Sequence, residues 1–279
     1  MRKWVFLITA LLALACLASA CAEDTPSTDW MMFASRTEPY YSDAAKAYSL
    51  PLYAGEPMQT DVNQTLATGD SADITFSAPE DGQYEIWFTY SAETQSALPS
   101  EMTVSIDGAI TFYELRRVKW KSLWQDDGVF PLDRYGNEIA ATPTAQHVLQ
   151  TAGMTDSAGW TDRPFLVELT AGEHTLTLDM QEGAMTLESI SLRAPEDAPA
   201  YAGQPASGDA LIVIEGEQID SRNKSSIRAA GEFDPQLTPY ETEHRKMNFL
   251  DGASFDAAGD EVTWRFTAEK EGWYQLGFT

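Results

Sequence analysis

The chain has 279 residues, 43% of them hydrophobic and 11% aromatic, which is enough to bury a core in one or two domains and argues against global disorder. Its 43 acidic residues against 18 Lys and Arg leave a formal charge of −25. Such a surface repels phosphate backbones and disfavours nucleic acid as a partner, while it suits solubility outside a cell and cations such as Ca2+.

Arg2 and Lys3 precede the uncharged apolar run Trp4 to Leu17, and Ala18-Ser19-Ala20 places small residues directly before Cys21. That order reads as an export signal with its cleavage site. Small residues immediately before a cysteine resemble the lipobox of bacterial lipoproteins, with Ala18 where that pattern usually carries Leu. The resemblance implies removal of residues 1–20, acylation of Cys21, and an extracytoplasmic chain anchored by lipid to the outer face of the cell membrane. Plain secretion with cleavage near Ala20, or an uncleaved anchor, are the other readings. Cleavage before Cys21 removes Arg2, Lys3 and Cys16, so the charge moves from −25 to −27 and one cysteine remains. A disulfide framework, a CxxC redox pair and a cysteine zinc site are then excluded.

Residues 21–33 read as a polar tether, carried by the Thr, Ser, Pro and acidic residues of Ala22 to Asp29. Beyond it the apolar period is two. Tyr84, Ile86, Phe88 and Tyr90 share one face of a strand, and Met102-Thr103-Val104-Ser105-Ile106 alternates strictly. Phe165, Val167 and Leu169 continue the pattern, as do Leu176, Leu178 and Met180, and then Met185-Thr186-Leu187 leading into Ile190-Ser191-Leu192. These are half-buried antiparallel strands. Turn signals separate them at Pro79-Glu80-Asp81-Gly82, Asp107-Gly108, Ala171-Gly172-Glu173 and Gln181-Glu182-Gly183. The expected fold class is all-β, with residues 34–194 forming a first antiparallel sandwich.

Residues 195–209, rich in Pro, Gly, Ser and Ala, read as a linker. An internal repeat supports a boundary there. Ala72 to Thr89 and Val262 to Thr279 align without a gap at an offset of 190, pairing Phe76 with Phe266, Gly82 with Gly272, Tyr84 with Tyr274 and Phe88 with Phe278. Residues 210–279 are therefore expected to be the first half of a second sandwich, and the sequence a fragment of a longer protein.

Catalytic constellations are weak. Gly69-Asp70-Ser71 matches the nucleophile element of one esterase family. None of the three histidines, His147, His174 and His244, has Asp three residues before it to complete that machinery. Asp126 and Asp127 are adjacent, so their carboxyls diverge instead of facing each other across a cleft as glycosidase pairs do. The expectation is a non-enzymatic protein. Glu215-Gly216-Glu217 follows the apolar run Leu211-Ile212-Val213-Ile214. In a strand, Glu215 and Glu217 would face the same way, and their repulsion would call for a cation.

A strand ending in this Glu-x-Glu resembles the opening of carbohydrate-binding modules of families 6 and 35. Leu187-Glu188-Ser189-Ile190-Ser191-Leu192 is similar to their closing strand, with Glu188 where they carry Asp. Leu169-Thr170-Ala171-Gly172-Glu173-His174-Thr175-Leu176 is similar to their last hairpin. The resemblance implies tandem antiparallel β-sandwiches of the jelly-roll, galactose-binding-like kind, the second truncated, and a structural Ca2+ at Glu215 and Glu217. Trp124 to Asp127, Asp133 to Glu138 and Pro164 to Leu169 also resemble the N-terminal part of large lipoprotein solute-binding proteins of carbohydrate ABC importers, which implies an importer permease as partner. Aromatic rings can stack on the C–H faces of sugars while polar neighbours bond the hydroxyls. The candidate ligand residues are Trp120, Trp124, Asp127, Arg134, Tyr135, Asn137 and Trp160. The alternatives are an accessory binding region of a surface glycoside hydrolase whose catalytic domain lies beyond residue 279, and a structural or adhesive surface protein.

Overall fold

The structure is a computed structural model that describes residues 37–161, 163–196, 203 and 205–278. The leader, Cys21, the tether and part of the 195–209 stretch lie outside the described residues.

The described residues up to 196 form β1 (Met58–Ala67), β2 (Ser71–Ala78), β3 (Gly82–Ala92), β4 (Ser100–Ile106), β5 (Val118–Trp120), β6 (Leu123–Gln125), β7 (Thr144–Gln146), β8 (Gln150–Gly153), β9 (Leu166–Leu169), β10 (Gly172–Glu182) and β11 (Ala184–Arg193), of which β2, β3, β4, β9, β10 and β11 carry the period of two. One sheet runs β1-β11-β3-β8, with β9 also on β3, and a second runs β2-β10-β4-β5. All these pairings are antiparallel. The two sheets close on one core, and the protein is an all-β sandwich. Tyr84, Ile86, Phe88 and Tyr90 of β3 and Met185, Leu187, Ile190 and Leu192 of β11 face Ile74 and Phe76 of β2, Met102 and Val104 of β4, and Leu176 and Leu178 of β10. Strict alternation puts every second side chain inside, so β2 reads exposed–buried throughout.

Two local features explain where the alternation breaks. Along β11 the apolar phase shifts after Leu187, because Glu188 is an extra residue between the pairs Leu187–Tyr90 and Ser189–Thr89. This is a β-bulge that restores Ile190 and Leu192 to the core. After β4 the chain reverses through Asp107 and Gly108, both at positive φ (52° and 76°), as a two-residue primed turn requires. β1 had no clear sequence signal. It is an edge strand of mostly exposed residues, anchored by fully buried Leu66.

The Asp107 turn is clamped to β10. Asp107 accepts hydrogen bonds from Thr175 N (2.9 Å) and His174 Nδ1 (2.7 Å), and His174 Nε2 donates to Thr170 O (2.8 Å). Both ring nitrogens face acceptors, so the imidazolium fits the site. Burial opposes that charge, but the Thr170 and Asp107 bonds outweigh it and raise His174 above the ordinary 6.5. The Thr175 amide first, then His174, hold Asp107 below 3.8 against a smaller burial effect. A raised histidine stabilises the fold below its unfolded value and loses that contribution as pH rises through its folded value. A lowered aspartate loses its contribution as pH falls. The pair therefore contributes most between 3.8 and 6.5. Asp107 is 53% exposed, which limits the effect to about 1 kcal/mol. Urea midpoints of the protein and its Asp107→Asn variant should differ most at about pH 5, and the difference should shrink by about pH 9 to the part that the Thr175 amide bond supplies.

Among the described residues beyond 209, the strands are two residues long: β12 (Ser221–Arg222), β13 (Ala229–Ala230), β14 (Phe249–Leu250) and β15 (Val262–Thr263). β12 pairs with β6 and β15, giving a sheet in the order β15-β12-β6-β7, and β13 pairs with β14. The repeat leaves one structural echo. Tyr84 Oη donates to Glu80 O (2.6 Å) and Tyr274 Oη to Lys270 O (2.7 Å), the same bond at the same offset of 190. In the first copy β2 and β3 lie in different sheets, β2 paired with β10 and β3 with β11, and their inward residues are buried. In the second, Phe266, Leu276 and Phe278 are exposed.

Candidate ligand-binding surface

The connections between β5 and β9 carry most of the expected ligand residues. The segment lacks a visible period because its strands have three or four residues, too few to show one.

Two of the expected tryptophans are not available to a ligand. Trp120 pairs with Ser100 across β5 and β4, which turns its indole inward. It is 2% exposed, stacks on Phe88 with ring centres 4.3 Å apart, and meets Tyr90 edge-on at 5.3 Å. Trp124 on β6, paired with Arg222 of the neighbouring β12, is 6% exposed. Both belong to the packing, because a large ring in a connection that crosses a sandwich edge gains most by covering apolar neighbours. Asp127 closes a small turn through Val129 N (3.1 Å), and neighbouring Asp126 forms an ion pair with Arg222.

The expectation for Glu215 and Glu217 also changes. Leu211 to Ile214 is not a strand, and the Glu-x-Glu sits in a turn closed by Gln218 N to Glu215 O (3.1 Å). The same-face argument therefore does not apply. Glu215 is exposed, whereas Glu217 is 4% exposed with an Oε2 that lacks a hydrogen-bond partner. Burial, with smaller repulsion from Glu215 and Glu138, pushes the Glu217 carboxyl up. Among the described residues no three acidic, histidine or cysteine side chains come together as a metal site.

Arg134, Tyr135 and Asn137 share one turn. Asp133, which the sequence reading passed over, accepts bonds from Tyr135 N (2.8 Å), Asn137 N (2.9 Å) and Asn137 Nδ2 (3.1 Å), and these bonds lower its carboxyl below the ordinary range. Asn137 Oδ1 accepts from Arg245 N (2.9 Å), so this side chain is a brace. The turn leaves Tyr135 66% exposed, with the Arg134 guanidinium 4.5 Å from its ring centre.

Trp160 lies in the connection between β8 and β9 and is 89% exposed. Its backbone is held by buried Asp156, whose carboxylate accepts from Ala158 N (2.9 Å) and Trp160 N (2.7 Å). Ser157 Oγ ties the same turn to Arg117 O (2.9 Å). An indole in water is normally covered. Here an ordered turn presents it.

A further group sits on the outward phase of β3, which the alternation of its core residues does not mark. Glu85, Trp87 and Thr89 point away from the core, and Arg193 of β11 lies directly opposite Glu85. A tryptophan on the outward phase of a strand was the available signal.

No family model matches the chain, and no curated protein matches it. Solved structures that overlap it in part include the following three. A Podospora anserina GH26-CBM35 β-(1,4)-mannanase is 12% identical over 56% of this chain and 32% of its own (TM-score 0.27). A ruminal GH26 endo-β-1,4-mannanase is 10% identical over 47% and 19% (TM-score 0.26). A family 35 carbohydrate-binding module from an environmental isolate is 12% identical over 55% and 96% (TM-score 0.25). The chain thus spans about a third and a fifth of the two mannanases. The all-β assignment rests on the sheets themselves.

Proposed function

We propose that this chain binds carbohydrate without catalysing a reaction, through the exposed rings of the β5–β9 connections. The observation that carries this reading is Trp160: a fully presented indole on a turn pinned by a buried carboxylate is built for a flat, partly apolar partner, and a pyranose C–H face is such a partner. Tyr135, with the Arg134 guanidinium over one face, offers a second ring with a donor next to it. In this proposal the protein is a lipoprotein held outside the cell by Cys21, and it presents glycans as the binding region of a solute-binding component that feeds an importer permease. The accessory region of a surface glycoside hydrolase is the other context for the same binding activity, and the gene's full coding sequence separates the two.

The test is calorimetry with neutral oligosaccharides. Trp160→Ala should weaken binding about tenfold or more with an unchanged melting curve, the loss expected when one stacking ring is removed. Tyr135→Ala should have a smaller effect. Unchanged affinity in both variants would overturn the assignment to this surface.

A further inference from the structure

The outward face of the five-stranded sheet carries a second constructed site. β3 is flanked on one side by β11 and on the other by two strands in succession, β9 along Gly82–Glu85 and β8 along Trp87–Tyr90. Trp87 Nε1 donates to Glu85 Oε2 (2.7 Å). Arg193 Nε donates to Ser191 Oγ (2.9 Å), and its guanidinium lies 4.7 Å from the centre of the Trp87 ring. Gly153 sits opposite Trp87, where a Cβ would come within 2.7 Å of Pro164 Cγ and 3.2 Å of Trp87 Cε2. The glycine therefore allows Pro164 and Trp87 to close on each other.

Beside this group opens a cleft of about 210 Å³ whose lining includes Tyr41, Leu52, Glu85, Arg163 and Pro164. Glu85 is 5% exposed although it faces away from the core. Burial raises its carboxyl above the ordinary range, while the Trp87 bond and the nearby Arg163 and Arg193 act in the opposite direction. A carboxylate buried on an outer face needs donors. The cleft combines an acceptor that can take hydroxyl protons, a guanidinium that donates, and apolar walls from Pro164 and Leu52. Glu85 disfavours an anion, and Arg163 disfavours a cation. The balance fits a neutral polyol with one C–H face.

We propose that this cleft holds one neutral pyranose unit as a second subsite, on the same β8–β9 connection that presents Trp160. Arg163 follows Trp160 by three residues, a span of at most about 11 Å, so a short oligosaccharide can place one unit in the cleft and another on the indole. The inference rests on the carbohydrate-binding reading and extends it.

The experiment is calorimetry of the purified protein with neutral hexasaccharides of β-1,4-linked glucose, xylose and mannose, compared with the corresponding monosaccharides. Two variants probe the cleft. Glu85→Gln keeps an oxygen acceptor for Trp87 Nε1 and so preserves the fold, but it removes the charge that strengthens hydroxyl binding. Leu52→Trp changes a residue that is 55% exposed and fills the cleft from its rim. Glu85→Gln should lower hexasaccharide affinity about tenfold, as expected for the loss of a charge-assisted hydrogen bond, and Leu52→Trp should lower it at least as much by occupying the space of the sugar, both with unchanged melting curves. Wild-type binding that both variants retain, while Trp160→Ala loses it, overturns the cleft subsite and leaves the indole surface standing. No binding by the wild type to any of the hexasaccharides overturns the carbohydrate reading itself.

Discussion

Replacing Trp120 with Ala is expected to destabilise the protein by about 3–5 kcal/mol, the range for deleting a large buried aromatic side chain. The indole is inside the sandwich, stacked on Phe88 at 4.3 Å and nearly parallel, with Tyr90 at its edge. Phe88 is itself fully buried between the sheets, so the cavity would open in the centre of the core and could not collapse cheaply. Trp120→Phe keeps part of the stack and should cost about 1–2 kcal/mol. Urea denaturation followed by near-ultraviolet circular dichroism measures both. Because Trp120 does not touch solvent, the Phe variant should keep full saccharide affinity. A stable Trp120→Ala protein that has lost binding would return this residue to the ligand surface.

The second large effect is expected at Asp126. Its carboxylate forms an ion pair with the Arg222 guanidinium, and the two side chains are 11% and 3% exposed. Arg222 also donates Nη1 to Ile227 O (2.7 Å), which fixes the guanidinium in place. Asp126→Ala leaves an uncompensated charge in a dry site, and the expected loss is about 3–5 kcal/mol. A double replacement, Asp126→Leu with Arg222→Met, removes both charges and should recover most of that loss. The comparison reports on architecture as well as on energy. Asp126 follows β6 in the first part of the chain and Arg222 is on β12 after the Pro/Gly-rich stretch, so the pair joins segments on either side of it. Lys121 Nζ to Gly259 O and Glu138 to Met247 N (2.9 Å) join them again. Thermal unfolding that changes by less than 1 kcal/mol in Asp126→Ala would mean that residues 210–278 are not docked on β6 in solution.

The regular strands were legible because their physics is local. A pleated strand alternates its side chains, and a half-buried sheet must therefore alternate apolar with polar residues. That signal located β2, β3, β4, β9, β10 and β11 and the turns between them. β1 was not legible, because an edge strand with one buried residue carries almost no alternation. Leu211 to Ile214 carried a strand-like composition but is not a strand in the structure. Extended backbone becomes a strand only when a neighbour completes its hydrogen bonds, and no window of sequence states whether that neighbour is there.

The candidate site divides along the same line. That tryptophans, tyrosines and acids gather between residues 116 and 161 is a property of the sequence. Which rings meet water depends on tertiary neighbours: Trp120 turned inward opposite Ser100, Trp124 buried on a strand paired with β12, and Trp160 held out by Asp156. The Glu85 cleft is lined by Tyr41 and Leu52 from before β1, by Glu85 of β3, and by Arg163, Pro164 and Leu166 at the start of β9, so it exists only once these distant segments have come together. By itself, then, the sequence determined an acidic, all-β chain with strands placed by a period of two and the residue types suited to sugars. The tertiary structure decided which of those residues face a ligand, because burial is set by partners distant in the chain.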